Sequence, residues 1–295
     1  MVKSTLVIHL GKNITTLVQD IYDVIDGKGG WDNTITEYLS KTIGDVAAER
    51  FMGEERPRDT LSLSGIGKPC ERELWYRVNN TEEQEPLGPE TKGTFFYGDL
   101  LEALVIALAK AAGHDVQGEQ DKLDVFGIKG HRDCVIDGMT IDVKSASSFS
   151  FEKFANGNLR ENDPFGYISQ LSSYVYGGKD DPLVTNKTHG AFLVVKKDRF
   201  KLCLDVHDFT ADIANKETEI EGRKAMVKGP IPERRSPVPQ SKTSPNTKLD
   251  VLCSYCSFRE HCWPEARTFL YSSGPTFLID VVKQPNVTEV GKKPF

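Results

Sequence analysis

The sequence predicts an α/β fold in which helices flank a central mixed β-sheet. A hairpin is expected at residues 130–145, because Asp137-Gly138 is a strong two-residue turn signal between stretches of alternating apolar residues. An almost entirely apolar stretch at 98–112 predicts a buried helix that ends at Gly113. Strand and helix patterns alternate after the hairpin, which is typical of an α/β chain.

The remaining elements follow from the same periodicities. An acidic, Pro-containing stretch at 79–92 predicts a surface loop, and the prolines of 229–249 predict a linker. Helices are predicted at 34–51, 71–78, 165–176 and 208–227, and strands at 115–126, 190–196, 200–206 and 277–282.

The hairpin has one apolar face and one charged face. A turn at Asp137-Gly138 places Asp133 opposite Asp142, and it places His131 opposite Lys144. Two aspartates directly across from each other are unfavourable on their own, so a cation is expected between them. Oxygen ligands favour Mg²⁺ or Mn²⁺, and the alternative interpretation is a solvated face with scattered charges. The apolar face carries Cys134, Ile136, Met139, Ile141 and Val143, with Ile136 opposite Met139.

Composition indicates a globular protein inside the cell. The chain has 295 residues with a net charge of −6, and no stretch approaches the length of a membrane span. The residues after Met1 lack a secretory signal pattern, so we expect an unprocessed cytoplasmic protein, in a bacterial or phage-infected cell, without a membrane partner. The negative net charge does not exclude nucleic acid, because local basic patches matter more than the total.

The cysteines near the C-terminus predict a metal centre. Cys253, Cys256 and Cys262 are spaced as a compact ligand trio, and thiols in such a chain should be reduced. Thiolates select zinc or an iron–sulfur cluster, and spacing alone leaves both open. Cys70 is the best candidate for a fourth ligand, whereas Cys134 and Cys203 are interpreted as buried structural residues.

These motifs together resemble the PD-(D/E)xK nuclease superfamily, in its RecB-like branch with a [4Fe–4S] cluster. This branch includes CRISPR-associated RecB-like exonucleases, the AddB nuclease and related phage nucleases. The resemblance covers about residues 62–266. Its motifs appear here in order as Glu102 in Gly98-Asp-Leu-Leu-Glu102, Asp133 in Gly130-His-Arg-Asp133, Asp142-Val-Lys144 and Gln170-Leu-Ser-Ser-Tyr174, with Cys70 upstream and Cys253, Cys256 and Cys262 downstream.

The resemblance implies a restriction-endonuclease-like core and a division of roles within it. Asp133 and Asp142 would be the principal Mg²⁺ or Mn²⁺ ligands, with Glu102 and the main-chain carbonyl of Val143 completing the set. Lys144 would orient or help to deprotonate the attacking water and stabilise negative charge, or it would form a salt bridge that neutralises the two aspartates. The cysteines would hold a structural [4Fe–4S] cluster in a helical region, with zinc as the alternative.

Further contacts are expected around this site. Gln170 and Tyr174 share one helix face and would contact Lys144, the attacking water or the DNA backbone; the alternative is core packing for Tyr174 and a surface amide for Gln170. The basic residues of 222–248 are either a solvated linker or a phosphate-contacting strip. The candidate DNA contacts are Ser145, Ser147, Lys196, Lys197, Arg223, Arg234 and Arg235.

The function expected from this sequence is a metal-dependent DNA exonuclease in recombination, repair or phage or CRISPR-type DNA processing. A structure-specific endonuclease and a non-catalytic DNA-binding subunit are the alternatives, and RNA is a less favoured substrate. Expected partners are single-stranded DNA or DNA with ends, and a recombination, helicase or single-strand-binding protein. The predicted organisation is an N-terminal helical region at 1–60, a nuclease core at 61–228, a Pro-rich loop with the cysteine segment at 229–270, and a tail at 271–295.

Overall fold

The structure is a computed structural model that describes residues 12–53 and 59–291. The ends of the predicted N-terminal region and tail, together with residues 54–58, lie outside the described residues. The helices of the described part are α1 (Leu17–Ile25), α2 (Asn33–Met52), α3 (Glu71–Asn79), α4 (Pro89–Ala111), α5 (Ser148–Ala155), α6 (Tyr167–Gly177), α7 (Thr210–Ala214), α8 (Lys216–Lys228), α9 (Val251–Ser254) and α10 (Arg259–Cys262).

The strands form a central sheet, a second sheet near the C-terminus and a separate two-stranded ribbon. They are β1 (Val116–Gln117), β2 (Lys122–Val125), β3 (Ile128–His131), β4 (Cys134–Ile136), β5 (Met139–Ala146), β6 (His189–Lys196), β7 (Leu202–Asp208), β8 (Val238–Pro239), β9 (Thr247–Lys248), β10 (Arg267–Tyr271), β11 (Gly274–Leu278) and β12 (Glu289–Val290).

The central sheet is mixed, as the sequence predicts. Its order is β1-β4-β5-β6-β7, with β5 and β6 parallel and the other neighbours antiparallel. The parallel pair is joined by a crossover that contains α5 and α6. Helices cover both faces of the sheet: α1 and α4 pack on one side, and α5 and α6 pack on the other. The predicted α/β class and flanking helices are therefore confirmed.

The predicted register of the central hairpin is confirmed along β4 and β5. The structure pairs Ile136 with Met139 and Cys134 with Ile141, and both residues of the turn adopt positive φ, as a type I′ turn requires. The apolar side chains of this hairpin join the core beneath α1 and α4. The opposite face is also covered, and Asp142 is fully buried, so the interpretation of a solvated face is wrong.

The predicted position of His131 is wrong. It lies at the end of β3 and pairs with Lys122 of β2, not with Lys144. The reason is that the chain leaves the hairpin before Asp133 and enters the β2–β3 ribbon, so β4 is only three residues long. A turn signal fixes the register next to the turn but does not fix how far the pairing continues.

Two other boundaries differ from the prediction. The buried helix α4 begins at Pro89, within the stretch predicted as a loop, because proline is well suited to the first position of a helix. The C-terminal region was expected to be helical around the cysteines with one strand after them. It contains only single-turn helices there, and strands β8 to β12 form an antiparallel sheet in the order β12-β10-β11-β9-β8.

The N-terminal helices pack on the core and do not form a separate unit. Leu17 and Ile21 of α1 are fully buried among the core residues of α4 and the central sheet. Helix α2 runs along α4, where Arg50 forms an ion pair with Asp99 at 2.5 Å. No helix in the described part of the chain has the length and apolar character needed to cross a bilayer.

We expect Gly138→Ala to destabilise the protein. Gly138 has a φ of +78°, and an added β-carbon would lie 2.0 Å from Oγ1 of Thr185. Left-handed strain and this clash should lower the free energy of unfolding by about 1–3 kcal/mol, measured by urea denaturation. Gly222→Ala is the matched control, because Gly222 lies in α8 with open space around it and should become neutral or slightly more stable. Equal effects of the two changes would contradict this explanation.

Candidate functional site

The predicted acidic residues meet where β4 ends and β5 continues with only β6 as its strand neighbour in the described part of the chain. Beyond Cys134 none of the described strands pairs with this edge of β5, and the main-chain N–H of Val143 donates to Oδ2 of Asp133 at 2.7 Å. The Asp133 carboxylate therefore takes the place of the missing strand. It is held beside Asp142, which is directly opposite it in the extended register.

Glu102 approaches the same point from α4. Its Oε1 accepts a hydrogen bond from Nε2 of Gln120 at 2.9 Å. A cavity of about 490 Å³ opens at this position between α2, α4 and the start of β4. Glu102 and Asp133 line this cavity together with Arg50, Asp99 and His131. The N-terminal helix α2 thus forms one wall of the site, which the sequence did not suggest.

Lys144 lies two residues after Asp142 on the same face of β5. Its Nζ is 2.6 Å from Oδ2 of Asp142, so the predicted salt bridge is present. The ammonium group also lies 5.1 Å from the centre of the Tyr167 ring, within the range of a cation–π interaction. Tyr167 was not singled out from the sequence. It lies at the start of α6, three residues before Gln170 and therefore on the same helix face.

Gln170 and Tyr174 connect α6 to the acidic residues. Nε2 of Gln170 donates to Oδ1 of Asp142 at 3.1 Å and contacts the Tyr174 hydroxyl at 3.0 Å. Both side chains are buried, so the interpretation of Gln170 as a surface amide is wrong. Tyr174 also packs in an apolar cluster with Leu63 and Ile66, so its contact with the site and its core packing coexist.

Burial and mutual repulsion perturb the charges of the site. Burial raises the pKa of Glu102 to about 7, and the Asp142 carboxylate adds to this effect while Lys144 opposes it. Burial and the two neighbouring carboxylates raise the pKa of Asp133 well above its usual value. Burial also raises the pKa of Asp142. Burial alone would lower the pKa of Lys144, but Asp142 and Asp133 raise it, so the amine is protonated and donates but does not accept a proton.

The donor set has the chemistry of a site for a hard divalent cation. Oδ2 of Asp142 is buried, and its partner among the described residues is the Lys144 ammonium group, with which it forms an ion pair at 2.6 Å. Three carboxylates that repel one another would each gain from a cation. Across residues 12–53 and 59–291, however, no group of three or more His, Cys, Asp or Glu side chains is arranged to hold a metal ion. Glu102 and Asp142 instead engage Gln120 and Lys144.

Arg132 supports the site and was missed in the sequence. Its side chain is fully buried next to Asp133, where Nη2 contacts Asp121 at 2.7 Å and Asp181 at 2.5 Å. These ion pairs fix the chain as it passes from β3 to β4. A buried guanidinium needs such partners, but the two aspartates are distant in sequence and carry no motif.

The four cysteines of the predicted metal centre line one pocket. Cys70 precedes the first residue of α3. Cys253 approaches it from α9, Cys262 approaches it from α10, and Cys256 lies in the connection between these two helices. Burial raises the pKa of each of these thiols, to about 12 for Cys256. The pocket is closed by an apolar cluster that includes Tyr76, Phe258, Trp263 and Phe277.

The other two cysteines lie apart from this pocket, as predicted. Cys134 is fully buried in the core beneath α4, as interpreted from the sequence, whereas Cys203 in β7 is only half-buried, so the interpretation of a buried residue is wrong for Cys203. All six cysteines are free thiols.

The predicted DNA contacts differ in the partners that the structure gives them. Arg223, Arg234 and Arg235 form ion pairs with Glu71, Glu265 and Asp250, and their charges are thereby locally balanced. Ser147 caps α5 by accepting from the N–H of Ser150, which gives it a structural role. Ser145 lies on β5 next to Gly98 of α4, and Lys196 and Lys197 lie at the end of β6.

Comparisons with known proteins add little to this description. No protein-family model and no curated protein sequence matches the chain. One solved structure, described as the crystal structure of SSO0001, aligns with 76% of this chain and 94% of its own length at 16% sequence identity and a TM-score of 0.37. A likeness at this level carries no argument about function.

We expect the stability of the metal-free protein to fall as pH rises through the range that ionises Glu102. Its pKa is about 7 in the folded state, above the usual 4.5, so the folded state binds more protons between these values and loses stability with rising pH. Glu102→Gln removes this titration and should be more stable than the wild type by about 1–3 kcal/mol at pH 8 in EDTA, with no such advantage near pH 4.5.

The measurement is urea denaturation across this pH range. Glu37→Gln, an exposed position on α2, is the control and should leave the pH profile unchanged. An advantage of Glu102→Gln that is constant with pH would contradict the assignment.

Proposed function

We propose that this chain is a divalent-metal-dependent deoxyribonuclease that hydrolyses phosphodiester bonds as an exonuclease. The observation that carries the proposal is the convergence of Glu102, Asp133 and Asp142 with Lys144 at the open edge of β5. This set agrees with the ordered motifs that resemble the PD-(D/E)xK superfamily.

Mg²⁺ or Mn²⁺ would be held by the carboxylates of Asp133, Asp142 and Glu102 and by the main-chain carbonyl of Val143. Such an ion supplies Lewis-acid activation of water and stabilises charge on the phosphate. The carboxylate oxygens now facing Lys144 and Gln120 would turn to the cation, which removes the repulsion that raises the pKa values of these groups.

The protein side chains have separate tasks around this ion. Gln170 holds Oδ1 of Asp142, while Oδ2, which faces Lys144, would be the oxygen that binds the cation. In the metal-free site, Asp142 and Asp133 outweigh burial and raise the pKa of Lys144, so its ammonium group is a hydrogen-bond donor that would orient water and stabilise negative charge. Tyr167 covers the ammonium group from the side of α6 and keeps it next to the carboxylates.

The pocket of four thiols supports a [4Fe–4S] cluster as the second cofactor. Four thiols that line one pocket can supply the four thiolates that such a cluster needs, and four thiolates would also suit one zinc ion. The order and spacing of Cys70, Cys253, Cys256 and Cys262, which resemble those of the iron–sulfur branch, favour the cluster. The cluster would join the Cys70 segment to the C-terminal sheet as a structural link.

We expect Asp142→Asn to abolish nuclease activity. Anaerobically purified protein with Mg²⁺ or Mn²⁺ should degrade linear DNA and spare closed circles. The variant should lose at least about 100-fold in rate, because a metal contributes several kcal/mol to such a reaction. Asp45→Asn, on the exposed surface of α2, is the control and should keep full activity.

The other outcomes of this assay separate the alternatives. Cleavage of circles would indicate an endonuclease. Protein with an intact cluster that cleaves no substrate would indicate a DNA-binding subunit, and an active Asp142→Asn variant would refute the assigned site.

We expect Cys253→Ser to prevent assembly of the iron–sulfur centre. The wild type should contain about four iron atoms per chain, with matching acid-labile sulfide and visible absorption, and the variant should lack them and melt at a lower temperature. Cys203→Ser is the matched control, because this half-buried cysteine lies in β7 away from the pocket, and it should keep the iron. Zinc in place of iron in the wild type would establish the alternative metal.

A further inference from the structure

The turn between β6 and β7 is a basic and aromatic surface next to the candidate site. Residues 196–201 read Lys-Lys-Asp-Arg-Phe-Lys, with four cations and one acid. The acid, Asp198, accepts a hydrogen bond from the Ser148 hydroxyl at 2.7 Å. Across the described ranges 12–53 and 59–291, none of these four cations forms an ion pair, in contrast to Arg223, Arg234 and Arg235. We refer to residues 196–201 as the basic turn.

Exposed aromatic rings surround the basic turn. Phe149, the second residue of α5, is 76% exposed, and Tyr97 of α4 is 44% exposed. Phe200 of the turn itself is 37% exposed. Packing does not explain three exposed rings next to four cations, because burying an aromatic ring is more favourable in free energy than leaving it in contact with water.

The basic turn is attached directly to the end of the strand that carries Asp142 and Lys144. The N–H of Lys197 donates to the carbonyl of Ala146, the last residue of β5, at 2.8 Å. The Tyr97 hydroxyl donates to the carbonyl of Lys197 at 3.1 Å. Gly98 beside it approaches Ser145 so closely that an added β-carbon would lie 3.2 Å from its Oγ. The turn is therefore only two to three residues, roughly 7–10 Å of extended chain, beyond Lys144.

We infer that the basic turn, with Phe149 and Tyr97, binds a segment of single-stranded DNA adjacent to the nucleotide at the acidic site. Cations that form no ion pair match the phosphate backbone, and exposed rings match unpaired bases, which only a single strand presents for stacking. This inference rests on the proposed function, because it assigns the substrate class of the same site. The residues that it adds are Arg199, Lys201, Phe149 and Tyr97.

The test measures binding without cleavage. Full-length protein with its cluster is titrated in EDTA into a labelled single strand of about 30 nucleotides, and fluorescence anisotropy is followed at several salt concentrations. The triple variant Lys197→Ala, Arg199→Ala, Lys201→Ala should bind more weakly, and the slope of log affinity against log salt should fall by about 2, which corresponds to three lost phosphate contacts. The matched control Lys28→Ala, Lys179→Ala, Lys283→Ala removes the same charge at exposed positions outside the basic turn and outside residues 222–248, and should bind as the wild type does.

The aromatic part of the surface has its own test. Phe149→Ala should weaken binding of the normal strand by at least about 5-fold, whereas Phe149→Trp should preserve it. Binding to an abasic strand of equal length should be the same for Phe149→Ala and the wild type, because that strand has charge but no bases. The thermal melts of the Phe149 variants should match that of the wild type, since this ring is on the surface. The triple variant is compared at a temperature at which its melt shows that it is folded, because Lys197 is half-buried and Lys201 lies over the Phe151 ring.

The outcomes distinguish failure of this inference from failure of the proposed function. If the wild type cleaves DNA but both triple variants bind equally well, the basic turn is not the binding surface and the nuclease assignment stands. Tighter binding of a duplex than of the single strand would overturn the inference. An equal loss of affinity for the normal and the abasic strand on Phe149→Ala would overturn it as well. Loss of the nuclease activity itself is judged separately, with Asp142→Asn.

Discussion

The structure depends on an electrostatic constraint: three carboxylates are held together at the edge of the central sheet in a largely buried position. Burial of charge is costly, and Asp133, Asp142 and Glu102 repel one another, so their ionised forms are unfavourable until positive charge is supplied. Lys144 supplies part of it. The positive charge that Lys144 does not supply explains why the site has the chemistry of a cation site. It also explains why the residues of the site come from a helix, a strand and a short connection that meet at one point.

The early end of β4 makes this arrangement possible. A longer β4 would continue to pair with β5 and would occupy the edge at which Asp133 and Glu102 meet Asp142. Arg132 fixes the departure of the chain through its ion pairs, and α6 fixes the far side of Asp142 through Gln170. Interactions outside the acidic cluster therefore determine its geometry, as supporting contacts do in metal sites generally.

The parts of this description that were predictable are those with local causes. Asp137-Gly138 determined the turn and hence the opposition of Asp133 and Asp142, and the spacing of Gln170 and Tyr174 determined their shared face. The position of His131 could not be predicted, because it depends on where the chain leaves the hairpin. Arg132 pairs with Asp181, which is distant in sequence, and three strands of the C-terminal sheet are only two residues long, too short for their periodicity to be read.

The pocket of four thiols draws on segments from opposite parts of the chain. Cys70 is synthesised long before Cys253, Cys256 and Cys262, and the whole central sheet lies between them in sequence. The pocket consequently cannot exist on the ribosome until the last of these residues has emerged and the sheet has brought both segments together. Completion of this pocket is therefore a late step of biogenesis, and a chain interrupted anywhere in the central sheet would leave Cys70 as an isolated thiol.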